Sequence, residues 1–354
     1  MKNSRCDRLV LALFPALLLA GAAFAEHRDL RGIEGVQELV ILSSDPAAAA
    51  RVWGAPLGYR PIAAGRPDSR LAGFWGLASA RLLGHEQVLA APGATTGFLR
   101  LIELRGALGQ VRIRSSARPF DSGGIFNFNV LVHDIDAVFA DLRAAGAQGY
   151  ADPNRYAIFG KRYAGALLVG PDGAAINLLQ RVGQSYDDLA PFKVASHIIN
   201  ATQVVRDFAL SQRFFREQLG WTQRWEASPA WPADGSNNMG LPQSLVQSGD
   251  VRERAASFAV GADARGGTIE ILAFEGLRGT DYAARARAPN AGLLAYRVHV
   301  RNLTILRQHL LAKAVAIEAE ARNIVLAPYG RVDLLRVVAP DGAWIEFFSQ
   351  LESS

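Results

Sequence analysis

Ala339–Phe348 reads APDGAWIEFF, and Gly170–Leu179 reads GPDGAAINLL. Both open on Pro-Asp-Gly, a trio that favours a tight turn. Both continue as a short apolar run with one polar residue inside it, Glu346 in one copy and Asn177 in the other. An apolar run of that length after turn residues predicts a buried strand.

The two copies start 169 residues apart, and other pairs keep nearly the same offset. LIEL with Glu103 recurs as TIEIL with Glu270, 167 residues on. LGY at Leu57 recurs as LGW at Leu219, 162 on, and the segment from Val132 recurs from Val300, 168 on. Four pairs in order at one spacing establish a tandem duplication. Each half divides again. A β-rich run (VQELVIL, FNFNVLV, SHIINAT or LAYRVHV) precedes a polar residue and an amphipathic helix. Ile135, Val138, Leu142 and Ala145 fall at helical spacing, as do Leu303, Leu306, Leu310 and Ala314. Phe208, Phe215 and Leu219 share a face in the third unit, and Gly146 and Gly220 stand where helices end. Strand, helix and three strands, four times over, is an α+β pattern.

The chain has 354 residues, half of them hydrophobic, enough for about two domains. Lys2, Arg5 and Arg8 precede an apolar run from Leu9 that ends in Ala23-Phe24-Ala25. This order predicts a secretory signal peptide cut after Ala25 and a periplasmic or secreted protein, with no stable membrane insertion after cleavage. Cys6, the single cysteine, leaves with it. The mature chain then has no disulfide and no thiol nucleophile, so a metal site would need His, carboxylate or amide donors. Three basic residues and Asp7 leave with the signal, which lowers the net charge of +5 by two to +3. That excess is scattered, which excludes a nucleic-acid footprint. No nucleophile elbow accompanies a Ser-His-Asp set, and the glycine pairs lack a phosphate-cradle setting.

The chain resembles the vicinal oxygen chelate superfamily, which includes glyoxalase I, bleomycin-resistance proteins and extradiol dioxygenases. PDGAAINLLQ, PDGAWIEFFSQ and the strand–Asp–helix–LG(Y/W) runs at 38–59 and 207–221 carry the resemblance. It implies four βαβββ units forming two tandem half-open β-cups, with units one and two in a domain spanning 26–183 and units three and four in one spanning 184–354. It also implies a divalent metal ion (Zn, Fe, Mn or Ni) held by the first and last strands of each unit, an enzyme acting on a small substrate, and room for a homodimer. The positions that match are Glu38 and Glu103 in unit one, and Asn127 and Asn177 in unit two. In unit three they are Asn200 or His197, with Glu270. In unit four they are Ala295, with His299 four residues on, and Glu346.

The expected metal ligands are therefore His197, Glu270, Glu346 and His299, with Glu270 and Glu346 also catalytic. The expected chemistry is that of a metal-dependent lyase, isomerase or ring-cleaving dioxygenase on a small oxygenated molecule, aromatic ones included. Glu270 and Glu346 sit in apolar runs where an unpaired carboxylate is costly. Pairing with an arginine such as Arg297 or Arg336 is the structural alternative, and both also count as substrate-binding candidates. Trp221, Trp225 and Trp231 precede a long Gly/Ser/Asn/Gln stretch, so they are either an aromatic wall for the substrate or packing under a surface loop. Arg66–Glu86 is the variable part between strands two and three of unit one. The incomplete ligand set leaves a second reading open, a metal-free periplasmic binding protein of the bleomycin-resistance kind.

Overall fold

The computed structural model describes residues 35–105, 111–116, 118–149, 151–158, 160–228, 237, 239, 241, 244, 250–260 and 267–351. The expected signal segment, His27 and Trp231 lie outside the described residues.

Unit one contains β1 (Gly35–Ser43), α1 (Pro46–Trp53), β2 (Arg60–Gly65), α2 (Leu71–Phe74), β3 (Leu83–Ala90) and β4 (Phe98–Leu104). Unit two contains β5 (Asn127–Leu131), α3 (Ile135–Ala144), β6 (Gln148–Gly149), β7 (Asn154–Ile158), β8 (Lys161–Val169) and β9 (Ala175–Arg181). Unit three contains β10 (Asn200–Val204), α4 (Phe208–Arg213), β11 (Thr222–Ala227), β12 (Arg252–Ala259) and β13 (Thr268–Glu275). Unit four contains β14 (Gly292–His299), α5 (Leu303–Ala312), β15 (Ala319–Leu326), β16 (Gly330–Val338) and β17 (Trp344–Gln350).

The repeat extends to single hydrogen bonds. Each unit's main helix begins after an Asx residue whose side chain accepts from the third helical amide: Asp45 from Ala48, Asp134 from Ala137, Asp207 from Leu210, and Asn302 from Ile305. Such a cap satisfies an orphan donor and fixes where the helix starts. Both Pro-Asp-Gly turns carry glycine in the left-handed region, Gly173 at φ 80° and Gly342 at φ 83°. A Cβ there would also meet a carbonyl oxygen, Arg114 O at 2.8 Å or Ala283 O at 2.5 Å, so both turns demand glycine.

The strands form two sheets, and each takes one unit from each half. The eight-stranded sheet runs β15-β16-β17-β14-β1-β4-β3-β2, joining units four and one. The nine-stranded sheet runs β11-β12-β13-β10-β5-β9-β8-β6, with β7 on β8, joining units three and two. The two-cup architecture is as expected, but the expected pairing of units within each half is corrected. The first strands meet antiparallel across the halves, β1 with β14 and β5 with β10. Within a half, the units are clamped by the aspartates of the repeated turns. Asp172 accepts from Ser44 N and Oγ, at 3.3 and 3.4 Å. Asp341 accepts from Arg206 N at 3.0 Å and Ser211 Oγ at 2.9 Å. The sequence pattern marks each first strand but carries no signal for which first strand it pairs with.

Strand alternation sorts side chains between two environments. One face of both sheets, with the helices, builds a continuous apolar core that includes Phe128, Phe215, Phe258, Tyr296 and Phe347. Trp221 belongs there, edge-on to Phe347 at 6.4 Å and 5.4 Å from Phe215. The opposite faces line the two cups.

Candidate functional site

The two cups have diverged. In the eight-stranded sheet, β1 contributes Glu38, β3 Glu86, β4 Arg100, β14 Arg297 and β17 Glu346, all buried. Arg100 Nε and Nη2 donate to the two Glu38 oxygens at 2.7 and 3.0 Å, and its Nη1 donates to Glu86 at 2.7 Å. Arg297 donates to Glu38 at 2.5 Å and twice to Glu346 Oε2, at 3.0 and 2.7 Å. Trp75 Nε1, just beyond α2, fills Glu346 Oε1 at 2.6 Å. Tyr329 completes Glu38 at 3.1 Å, and the Ala327 carbonyl accepts from Arg100. Burial would raise the Glu38 carboxyl, but Arg100 and Arg297 outweigh it and hold the group below its ordinary range. Burial and the adjoining Glu38 push the Tyr329 phenol well up, so it remains a donor. Two guanidinium groups therefore stand where the first and last strands converge. The cup is filled by its own side chains, with α2 and the β15–β16 turn closing over it. Arg336 joins the packing, 3.8 Å above the Trp344 ring and donating to Phe74 O at 2.9 Å.

The nine-stranded cup carries a different floor. Register places Ser257 beside Glu270, Glu270 beside Thr202, and Thr202 beside Asn127 in one row across the sheet. Asn200, Asn129 and Asn177 form the next row. Asn127 Nδ2 donates to Asn129 Oδ1 at 2.7 Å. Asn129 Nδ2 donates to Asn200 Oδ1, and to Thr202 Oγ1 at 3.1 Å. Asn200 Nδ2 and Thr202 Oγ1 donate to Glu270 Oε2, at 3.3 and 3.2 Å. Burial pushes the Glu270 carboxyl up to about 7, nearby Glu253 adds to the rise, and the Thr202 hydrogen bond partly offsets it. Asn127 Oδ1 and Asn177 Oδ1 are buried with no hydrogen-bond partner. Beyond the polar rows the same face turns apolar through Val204, Leu272, Phe274 and Ala255, covered by Met239 and Leu241.

The expected metal ligands do not come together. Glu270 lies on the nine-stranded sheet, Glu346 and His299 on the eight-stranded one. His197 precedes β10, beside Gly97, and burial lowers its pKa. Asn200 takes the strand position instead, so the shorter of the two third-unit registers holds. His299 ends β14, packed on Phe348 at 5.1 Å. Among the described residues no group of three or more His, Cys, Asp or Glu is placed to hold a metal ion. The residues present do not fit one. One cup has arginines at the convergence point, and the other has neutral amides around a single carboxylate.

Glu346 follows the ion-pair alternative, with Arg297. Arg297 is consumed by Glu38 and Glu346, and Arg336 packs on Trp344 with Nη1 on Phe74 O and its buried Nε without a partner. Glu103 lies on the outer face, bonded to Arg105 at 2.9 Å; Arg100 holds the inward place on β4. Trp221 is core packing, whereas Trp225 is 40% exposed on β11. Arg100, Glu86, Trp75, Asn129 and Thr202 escaped the sequence reading. Arg100 had a signal, because an arginine inside the apolar run FLRLIEL needs a buried acidic partner.

The chain has a glyoxalase-like fold, with two half-open cups in tandem. Glyoxalase I from Zea mays superposes with a TM-score of 0.60 at 12% identity, covering 90% of this chain and 92% of that one. A putative dioxygenase from Bacillus subtilis superposes with a TM-score of 0.52 at 10% identity, covering 90% and 86%. No family model matches the sequence, and no curated protein matches it.

Proposed function

We propose that this is an exported small-molecule-binding protein of the glyoxalase fold whose working site is the nine-stranded cup and whose binding needs no metal ion. The observation that carries this reading is the contrast between the cups. One is filled with its own ion pairs, and the other keeps a polar floor with a carboxylate poised near neutrality and two buried acceptors awaiting partners. The metal-dependent chemistry of the resemblance would need donors that stand here on different sheets. Export rests on the N-terminal pattern of basic, apolar and Ala-Phe-Ala segments.

The mature protein would be screened by thermal shift in chelator against small oxygenated and aromatic molecules. A ligand should raise the melting temperature in chelator, and Glu270→Gln should abolish the rise. If stabilisation appears only after a divalent ion is added, the metal-free reading falls. A second reading, proton transfer on a bound substrate, is favoured by the position of Glu270. A carboxyl titrating near 7 is well matched to general acid–base work at neutral pH.

A further inference from the structure

We propose that the nine-stranded cup selects a small organic cation, an amine on an apolar body, with the ammonium seated on Glu270 in a floor whose unmet groups, Asn127 Oδ1 and Asn177 Oδ1, are also acceptors. This rests on the metal-free reading above. It follows from the polarity of the floor. An ionised carboxylate only accepts hydrogen bonds, so Asn200 and Thr202 must turn their donors toward Glu270. Asn200 then presents its oxygen to Asn129, and Asn129 presents its oxygen to Asn127. The direction set at Glu270 runs the length of the chain and ends on Asn127 Oδ1, a buried acceptor with no partner. Asn177, in the adjoining row, leaves a second one. Buried acceptors without donors are costly, and a ligand rich in N–H groups removes that cost.

The other groups on this face agree. Glu253 on β12 is the ionisable neighbour that acts on Glu270, and its charge has the same sign. β5, β9 and β10 supply amides and a hydroxyl beside it, without a cation. Arg181, at the far end of β9, is committed to Asp188 at 2.5 and 2.8 Å. Trp225 lies in the Glu270 row, across Ser257, and offers an exposed ring that favours a cation. The apolar cluster of Val204, Leu272 and Phe274, with Met239 and Leu241 packed on it, adjoins this floor.

The test is calorimetric titration of the mature protein with 2-phenylethylamine, 2-phenylethanol and 3-phenylpropionate, which share a body and differ in the head. The amine should bind and the acid should not, with the alcohol far weaker. Glu270→Gln, nearly isosteric, should weaken the amine at least about tenfold while its melting temperature shows that it folds. Affinity for the amine should also fall on the order of tenfold from about pH 8 to about pH 6, as the carboxyl takes up its proton. If the alcohol or the acid binds as tightly as the amine, or if Glu270→Gln leaves the amine unaffected, the cation assignment is overturned while the cup remains a binding site. Failure of all three probes at millimolar concentration also overturns it, and the broader screen in chelator then decides the fate of the metal-free reading separately.

Discussion

Glu270 and Glu346 look alike in the sequence, each a carboxylate inside an apolar run after the same repeated turn or its equivalent. Their surroundings separate them. Glu346 meets two nitrogens of Arg297 and the indole of Trp75, whereas Glu270 meets an amide, a hydroxyl and the field of Glu253. This difference has a consequence for stability. The folded-state pKa of Glu270 is raised to about 7, above its unfolded value, so the fold binds this proton more tightly than the unfolded chain does. The stability linked to it is fully present below the unfolded pKa and is lost as pH rises through about 7. Glu270→Gln, which cannot ionise, should be more stable than wild type above neutrality, by on the order of 1–3 kcal/mol. The gap should close toward mildly acidic pH. Urea unfolding of both proteins across that range measures it, and a gap that does not change with pH would refute the assignment. The sequence shows a costly carboxylate at both places because apolar flanks are local. The partner that neutralises Glu346 is Arg297, 49 residues away on the neighbouring strand, and no local pattern reports that pairing.

Among the elements, α2 decides which cup is filled. It lies between β2 and β3 of unit one, in the segment that the sequence marks as variable. Leu71, Phe74 and Trp75 are buried there, and Trp75 reaches Glu346 in unit four, 271 residues away. The strands and helices around it were legible, because four helices with Asx caps and four closing strands repeat a period. An irregular insertion has no period, so its docking face could not be read. The indole N–H is the third donor on a fully buried carboxylate, and phenylalanine would keep most of the packing while removing it. Trp75→Phe should cost about 1–3 kcal/mol, the penalty of leaving a buried acceptor unmet. Because that change lies in the filled cup, ligand-induced stabilisation through the other cup should persist. Chemical denaturation with and without ligand separates the two effects, and loss of ligand response together with stability would mean that the cups are not independent.

At the scale of the molecule, the duplication has been folded by exchange. Each sheet is half from residues before the midpoint and half from residues after it, and the turn aspartates Asp172 and Asp341 clamp units within a half back to back. The period of the repeat made two cups legible, but equivalent first strands give equivalent local signals, so which ones pair was not. The pairing has energetic weight. β1 meets β14 from Gly35–His299 to Leu42–Gly292, with two register shifts on the way, and β5 meets β10 beside the amide floor. Cutting the chain at the expected boundary, between 183 and 184, would strip both contacts and leave four first strands as unpaired edges. It would also leave Glu38 without Arg297 and Tyr329, Arg100 without the Ala327 carbonyl, and Glu346 without Trp75. Exposed apolar edges of that kind pair with whatever is available. Expressed alone, 26–183 and 184–354 should each be unfolded, aggregated or self-paired. Expressed together, they should associate into a two-chain complex that unfolds in one transition, since each sheet needs both chains. Size-exclusion chromatography of the separate and co-expressed fragments measures this. Two stable monomers that ignore each other would mean that each half builds a cup of its own, and that the crossed pairing of the strands is not what holds the molecule together.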